Sequence, residues 1–259
     1  MSDRDPTTAQ RRSLAPAFYA CPRFASCPAA SDWWTVLHPP YTLWHLSYVV
    51  IGSCLVDPVD ASRLGFTLVA FFLAVGVGAH ALDELHGRPL RTSIPTRTLV
   101  IAAVVGIGGA AVIGVMGISR IGLPLAAFIV VGVTLAVAYN LELFDGRMHT
   151  DTMFAASWGS FPVLTGYYAQ HERLDIAALG AAMFAFFLSM AQRRLSTPAR
   201  ALRRKTLHVS GTIVGSDGEA TDIDQARLLA PLEAALRALS WATVFLAAAL
   251  VVARLHPWP

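Results

Sequence analysis

Four stretches of this 259-residue chain gather side chains able to do chemistry. The first reads His80-Ala81-Leu82-Asp83-Glu84-Leu85-His86-Gly87-Arg88-Pro89-Leu90-Arg91. On a helix His80 and Glu84 share a face, with Asp83 beside His80. A carboxylate–imidazole group of this kind can bind a divalent ion or move a proton. Its purely structural use is to tether Arg88 and Arg91. The second stretch runs from Tyr139 to Asp151 and carries Asn140, Glu142, Asp145, His149 and Asp151. Asp145-Gly146 marks a turn, but Asn140 and Glu142 stand at the end of an apolar run. The third, Gln192 to His208, holds Arg193, Arg194, Arg200, Arg203, Arg204 and Lys205. Such a cluster suits pyrophosphate or an anionic lipid headgroup; the ordinary excess of basic residues on the inner side of a membrane would also place it there. The fourth, Trp158-Gly159-Ser160-Phe161-Pro162, interrupts a helical pattern. Pro162 removes a backbone hydrogen bond and Gly159 permits close approach, either to line a cavity or to make a packing kink.

These residues have to be positioned by lipid-buried helices. Hydrophobic residues make up 55% of the chain and charged ones 14%, with a mean hydropathy of +0.53. Soluble domains carry roughly 25% charged residues, so the balance points to a membrane. A net charge of +3 gives no case for nucleic acid. Seven apolar stretches approach the length of a membrane helix: about 41–56, 64–82, 99–118, 123–143, 152–170, 176–191 and 236–255. Gly106, Gly108, Gly109 and Gly114 would let neighbouring helices close up. With the N-terminus inside, sixteen of the 20 Lys and Arg fall in inner segments, as the positive-inside rule requires. The reading is therefore an all-α, multi-pass bundle in the cell membrane, with a cytoplasmic N-terminus. Residues 1–36 are expected to be a disordered, Pro-rich tail, 37–215 the main bundle, and 216–259 a cytoplasmic loop, a surface helix and the last span.

Several segments between Pro39 and Leu207 resemble the UbiA superfamily of intramembrane prenyltransferases. Pro39-Pro40-Tyr41-Thr42-Leu43 with Ile51-Gly52 is similar to that family's first helix. Arg88-Pro89-Leu90-Arg91-Thr92-Ser93-Ile94-Pro95 resembles the segment after its first Asp-rich motif. Gly159-Ser160-Phe161-Pro162-Val163-Leu164, with Gly166-Tyr167-Tyr168-Ala169-Gln170, is similar to its fifth helix, and Arg204-Lys205-Thr206-Leu207 to the tail of its second Asp-rich motif. The resemblance implies transfer of a prenyl group from an isoprenoid diphosphate to a hydrophobic acceptor, within a cavity open to the cytoplasm and to membrane lipid. It implies Asp83, Glu84, His80 and Glu142 as catalytic groups. Mg²⁺ would be held on Asp83 and Glu84, with Asp145 and Asp151 as replacement ligands. Arg88, Arg91, Arg204 and Lys205 would hold diphosphate, and Tyr139, Asn140, Trp158 and Phe161 would line the substrate channel. The chain departs from the family where two acids should precede Lys205: Leu195 and Ala199 stand there instead. This would be a divergent member lacking the second Asp-rich motif. The loss also leaves room for a non-catalytic lipid- or quinone-binding protein. A seven-helix metal hydrolase using His80, His86, His149 and Asp83 is the third possibility.

Overall fold

The computed structural model describes residues 28–255, and they are overwhelmingly helical. The elements are α1 (Pro28–Leu37), α2 (Pro39–Cys54), α3 (Ala61–Leu85), α4 (Thr96–Ile121), α5 (Leu125–Asn140), α6 (residues 151–171), α7 (Ile176–Lys205) and α8 (Gln225–Leu255). Between α7 and α8 lies a hairpin of β1 (Gly211–Val214) and β2 (Ala220–Ile223), paired antiparallel with Thr212 opposite Asp222. Four helices are long and apolar enough to cross a membrane: α3, α4, α7 and α8. α5 is a shorter apolar helix. The seven apolar stretches of the sequence correspond to α2–α8, but α2 and α5 have only 16 residues each.

Local sequence explains where these helices start and stop. Asp60 caps α3 by accepting from the Ser62 and Arg63 amides at 2.8 and 3.0 Å. Asp175 caps α7 through the Ala177 and Ala178 amides, supplying partners for donors that a helix N-terminus leaves orphaned. Its carboxyl sits below the ordinary range, first because the Tyr167 hydroxyl donates to it at 2.5 Å and then because of those amides. α4 ends at Gly122, whose φ of 105° suits glycine, with Pro124 two residues on.

Large apolar residues cover the outside: Ile101, Val104, Met116, Val130, Phe187 and Phe245 are each more than 60% exposed. An exposed apolar surface on this scale marks contact with lipid. Small residues and buried polar pairs face inward. Gly106 lies against the α3 backbone, where a Cβ would meet Leu73 O at 2.6 Å, and Gly114 packs on Ile129 of α5. Gly108 meets nothing within 4 Å, so it takes no part in helix packing. Tyr48 and Ser189 hydroxyls pair at 3.1 Å between α2 and α7, and Ser160 Oγ donates to Ala182 O at 2.9 Å. Interhelical bonds of this kind satisfy polar groups that lipid cannot.

Three expectations need correcting. Residues 28–36 of the expected disordered tail are part of helix α1; residues 1–27 lie outside the described residues. α1 is held because Asp32 accepts from the Ser93 amide at 2.7 Å and from its hydroxyl, and because Val36 is fully buried with Ala81, Leu90 and Leu99. The basic segment after residue 191 is no loop: α7 continues unbroken to Lys205, with Pro198 inside it. The supposed cytoplasmic loop and separate surface helix are a hairpin running directly into α8, whose Leu229 is buried. The hairpin turns at Gly215–Gly218, where Gly218 has φ 82° and the Gly215 amide donates to Glu219 O at 2.8 Å.

Candidate functional site

The inward-facing ends of α2, α3, α5, α6 and α7 enclose a cavity of about 580 Å³. One wall is cationic. Arg193, Ser196 and Arg200 follow at spacings of three and four along α7, and Arg203 and Arg204 lie three and four beyond Arg200, so they share a helix face, and each lines the cavity beside Lys205. Three of these cations, Arg193, Arg203 and Arg204, already take part in interactions within the chain. Arg193 Nε donates to Asp151 at 2.8 Å and its guanidinium lies 5.0 Å from the Phe154 ring centroid. Arg203 pairs with Glu233 of α8. Asp83 faces this wall from α3, within electrostatic reach of Arg200, Arg204 and His149.

Histidines and aromatic rings make the rest of the wall. His38 joins α1 to α2 in the left-handed region, at φ 43°, a conformation uncommon outside glycine. Its ring meets His80 edge-on at 5.2 Å. Burial, then the neighbouring His80, Arg204 and Arg200 charges, hold its imidazole well below the ordinary value. His149 stacks on Tyr139 with ring centroids 4.5 Å apart. Glu142, also at positive φ, stands between His86 and His149 at 3.7 and 3.8 Å. Tyr41, His45, Phe154 and Trp158 form the inner floor.

Beyond that floor lies a second cavity of about 240 Å³, lined by α3, α4, α5 and α6. Phe71, Phe128 and Phe161 line it, and Val75 and Trp158 line both spaces. The cationic cavity and the apolar cavity are thus neighbours, with Val75 and Trp158 as the wall between them.

The floor follows from the sequence of α6. Pro162 has no N–H, so Trp158 O is denied its regular bond from residue 162. The helix widens into a π-turn at Ala156–Ser160 immediately before the proline. His45 Nδ1 approaches Trp158 O at 2.7 Å, and because a carbonyl only accepts, Nδ1 carries the proton. Gly159 presses on α7, where a Cβ would meet Ala185 O at 2.6 Å. The helix break thus lines a cavity and is a packing contact as well.

Of the residues singled out by sequence, the cavity brings together His80, Asp83, Tyr139, Asn140, Glu142, Trp158, Arg204 and Lys205. Asn140 Nδ2 is occupied with Ala136 O at 2.7 Å. Others are elsewhere. Glu84 is fully buried, and its oxygens accept from the Leu90 amide (3.0 Å), the Thr92 amide (2.9 Å) and the Thr92 hydroxyl (2.8 Å). It builds the 86–95 loop and does not face the cavity. Arg88 serves the same loop by donating to Ile94 O and Thr96 Oγ1 at 2.6 and 2.8 Å. Arg91 is exposed and lines neither cavity. Phe161 belongs to the apolar cavity. Asp145 sits in an exposed turn at φ 57°, and Asp151 is spent on Arg193.

This donor set does not fit the Mg²⁺ site that the family resemblance implies. A hard cation needs several oxygen ligands converging on one point. Glu84 and Asp151 are committed to protein partners, and Glu142 is flanked by two imidazoles. No group of three His, Cys, Asp or Glu among the described residues is placed to hold a metal. That applies equally to the zinc arrangement of His80, His86, His149 and Asp83, although all four line the cavity.

Sequence reasoning placed Arg200 in the basic cluster without singling it out, and it missed His38, Tyr41 and His45 as site residues. The helical spacing from Arg193 to Arg204 could have singled out Arg200. No pattern marks His45, which lies in an aromatic run. Comparison with protein-family models, curated proteins and solved structures gives no match to this chain.

Proposed function

We propose that this chain is a multi-pass cell-membrane protein of seven spans, N-terminus inside, that binds a phosphate-bearing isoprenoid and transfers its prenyl group to a hydrophobic acceptor. The observation that supports this reading is the adjacency, across Val75 and Trp158, of a cavity with a cationic wall and an apolar cavity among the helices. The geometry suits an amphiphile with an anionic head and a long apolar tail. On this reading it is a divergent relative of the UbiA superfamily.

Arg200, Arg204 and Lys205 hold the diphosphate, while Arg193 and Arg203, tied to Asp151 and Glu233, brace the wall on either side. Guanidinium forks match phosphate oxygens two at a time, and charge pairs count for more in a partly desolvated site. Asp83 keeps the cationic side chains in register. As the allylic C–O bond breaks, its electron pair leaves on the diphosphate, where the arginines neutralise it. The acceptor's nucleophilic atom forms the new bond to that carbon, and its proton passes to the departing diphosphate. The faces of Tyr41, Tyr139, Phe154 and Trp158 stabilise the developing allylic cation.

The test uses the purified full chain in lipid nanodiscs with radiolabelled farnesyl diphosphate and a bacterial membrane-lipid extract as acceptor. Release of pyrophosphate together with a labelled lipid product supports transfer, and Arg200→Gln with Arg204→Gln should abolish both. Retained binding without any product would support a non-catalytic lipid receptor. Absence of saturable binding to the wild type would reject the reading.

A further inference from the structure

The cavity floor holds a polar atom that the diphosphate chemistry does not use. His45 is 2% exposed and lies between the rings of Tyr41, Tyr48, Phe154 and Trp158. Its Nδ1–H is fixed on Trp158 O at 2.7 Å. In the neutral ring the lone pair then sits on Nε2, which is buried and has no hydrogen-bond partner among the described residues. The ring lines the larger cavity. Its orientation is set by the backbone, because the Pro162 gap in the α6 ladder supplies the acceptor that turns the imidazole.

We propose that His45 Nε2 is the recognition point for the second substrate, an apolar molecule with one hydroxyl or N–H donor aimed at the cavity floor. This rests on the transferase reading and names its acceptor class: a phenol, quinol or long-chain alcohol, not a quinone or an ether. His45 is a positioning residue. It accepts one hydrogen bond from the donor group while the surrounding rings cover the apolar body. A buried acceptor matched to a ligand donor discriminates strongly, because an analogue without the donor leaves the acceptor desolvated and unpaired. The floor is made of the rings that face the developing allylic cation, so a group bound there sits beside the carbon that forms the new bond.

The experiment compares 4-hexylphenol with 4-hexylanisole, its methyl ether, for binding to the full-length protein in nanodiscs by calorimetry. One hydrogen bond makes about a tenfold preference for the phenol. In ¹⁵N-histidine spectra, one Nε2 resonance, assigned by its loss in His45→Phe, should shift with phenol and stay still with the ether. His45→Phe keeps an aromatic ring in place and should bind both compounds equally. Arg200→Gln should keep the phenol preference, so failure of the diphosphate reading and failure of this one are distinguishable. Equal binding of phenol and ether to the wild type would overturn the proposal without recourse to a variant. So would a phenol preference that survives in His45→Phe.

Discussion

Asp83 and Glu84 are neighbours in sequence with opposite fates, and replacing each by its amide separates them. Glu84 is fully buried and accepts three hydrogen bonds at 2.8–3.0 Å from the 86–95 loop. In Glu84→Gln one oxygen remains as an acceptor, while the new NH₂ faces a backbone N–H that it cannot serve. One or two charge-assisted bonds are lost, each worth about 1.5–3 kcal/mol, for a total near 3 kcal/mol. By the scaling for chains of this size, that is a fall of roughly 6–12 °C in Tm. Asp83→Asn removes no comparable contact and should stay within about 1 kcal/mol of wild type, yet it should impair turnover. The assay is a thermal shift in one detergent, paired with limited proteolysis of the 86–95 loop, which Glu84→Gln should make more cleavable. If Glu84→Gln left Tm and proteolysis unchanged but abolished a Mg²⁺-stimulated turnover, Glu84 would be a metal ligand and the loop-clasp account would be wrong.

Four further outcomes are expected. Arg200→Gln should weaken farnesyl diphosphate binding by about ten- to a hundredfold, from the loss of one charge-assisted pair, read by equilibrium dialysis. Gly159→Ala should destabilise by about 1–3 kcal/mol through its clash with Ala185 O, as overpacking does, and chemical denaturation in detergent checks it. His38 is held neutral by burial and nearby cations, so the unfolded chain takes up a proton near pH 6.5 that the folded chain refuses. Stability is therefore full above that pH and lost progressively as pH falls below it. His38→Asn, which tolerates the left-handed backbone, should flatten that dependence in Tm measured from pH 7.5 to 5. Asp32→Ala should release α1 from Ser93 and speed amide exchange across residues 31–37.

Hydropathy located the apolar stretches that form helices α2–α8, four of them long and apolar enough to cross a membrane, because a lipid-facing helix must be apolar on most of its surface whatever its neighbours. It gave the first stretch, 41–56, at its short length but overran α5, which ends at Asn140. The overrun of α7 to Lys205 was hidden by Pro198 and by polar composition, both of which read as a helix end. Its arginines do repeat at helical spacing, and that signal was available. The choice between Asp83 and Glu84 was not, since adjacent helical residues point about 100° apart and only the docked 86–95 loop decides which faces inward. His45 was invisible for the same reason: its role comes from Trp158 O, far away in sequence and released by Pro162.

Photo-crosslinking tests most directly whether the two neighbouring cavities take the head and tail of one ligand. A farnesyl diphosphate analogue with a diazirine at the tail end is bound to the full-length protein in nanodiscs, irradiated and mapped by peptide mass. Labelling of Phe161 or Phe128, competed by inorganic pyrophosphate and lost in Arg200→Gln, is the expected result. Labelling confined to lipid-exposed positions such as Val104 and Met116, indifferent to pyrophosphate, would contradict a headgroup site joined to an internal tail channel.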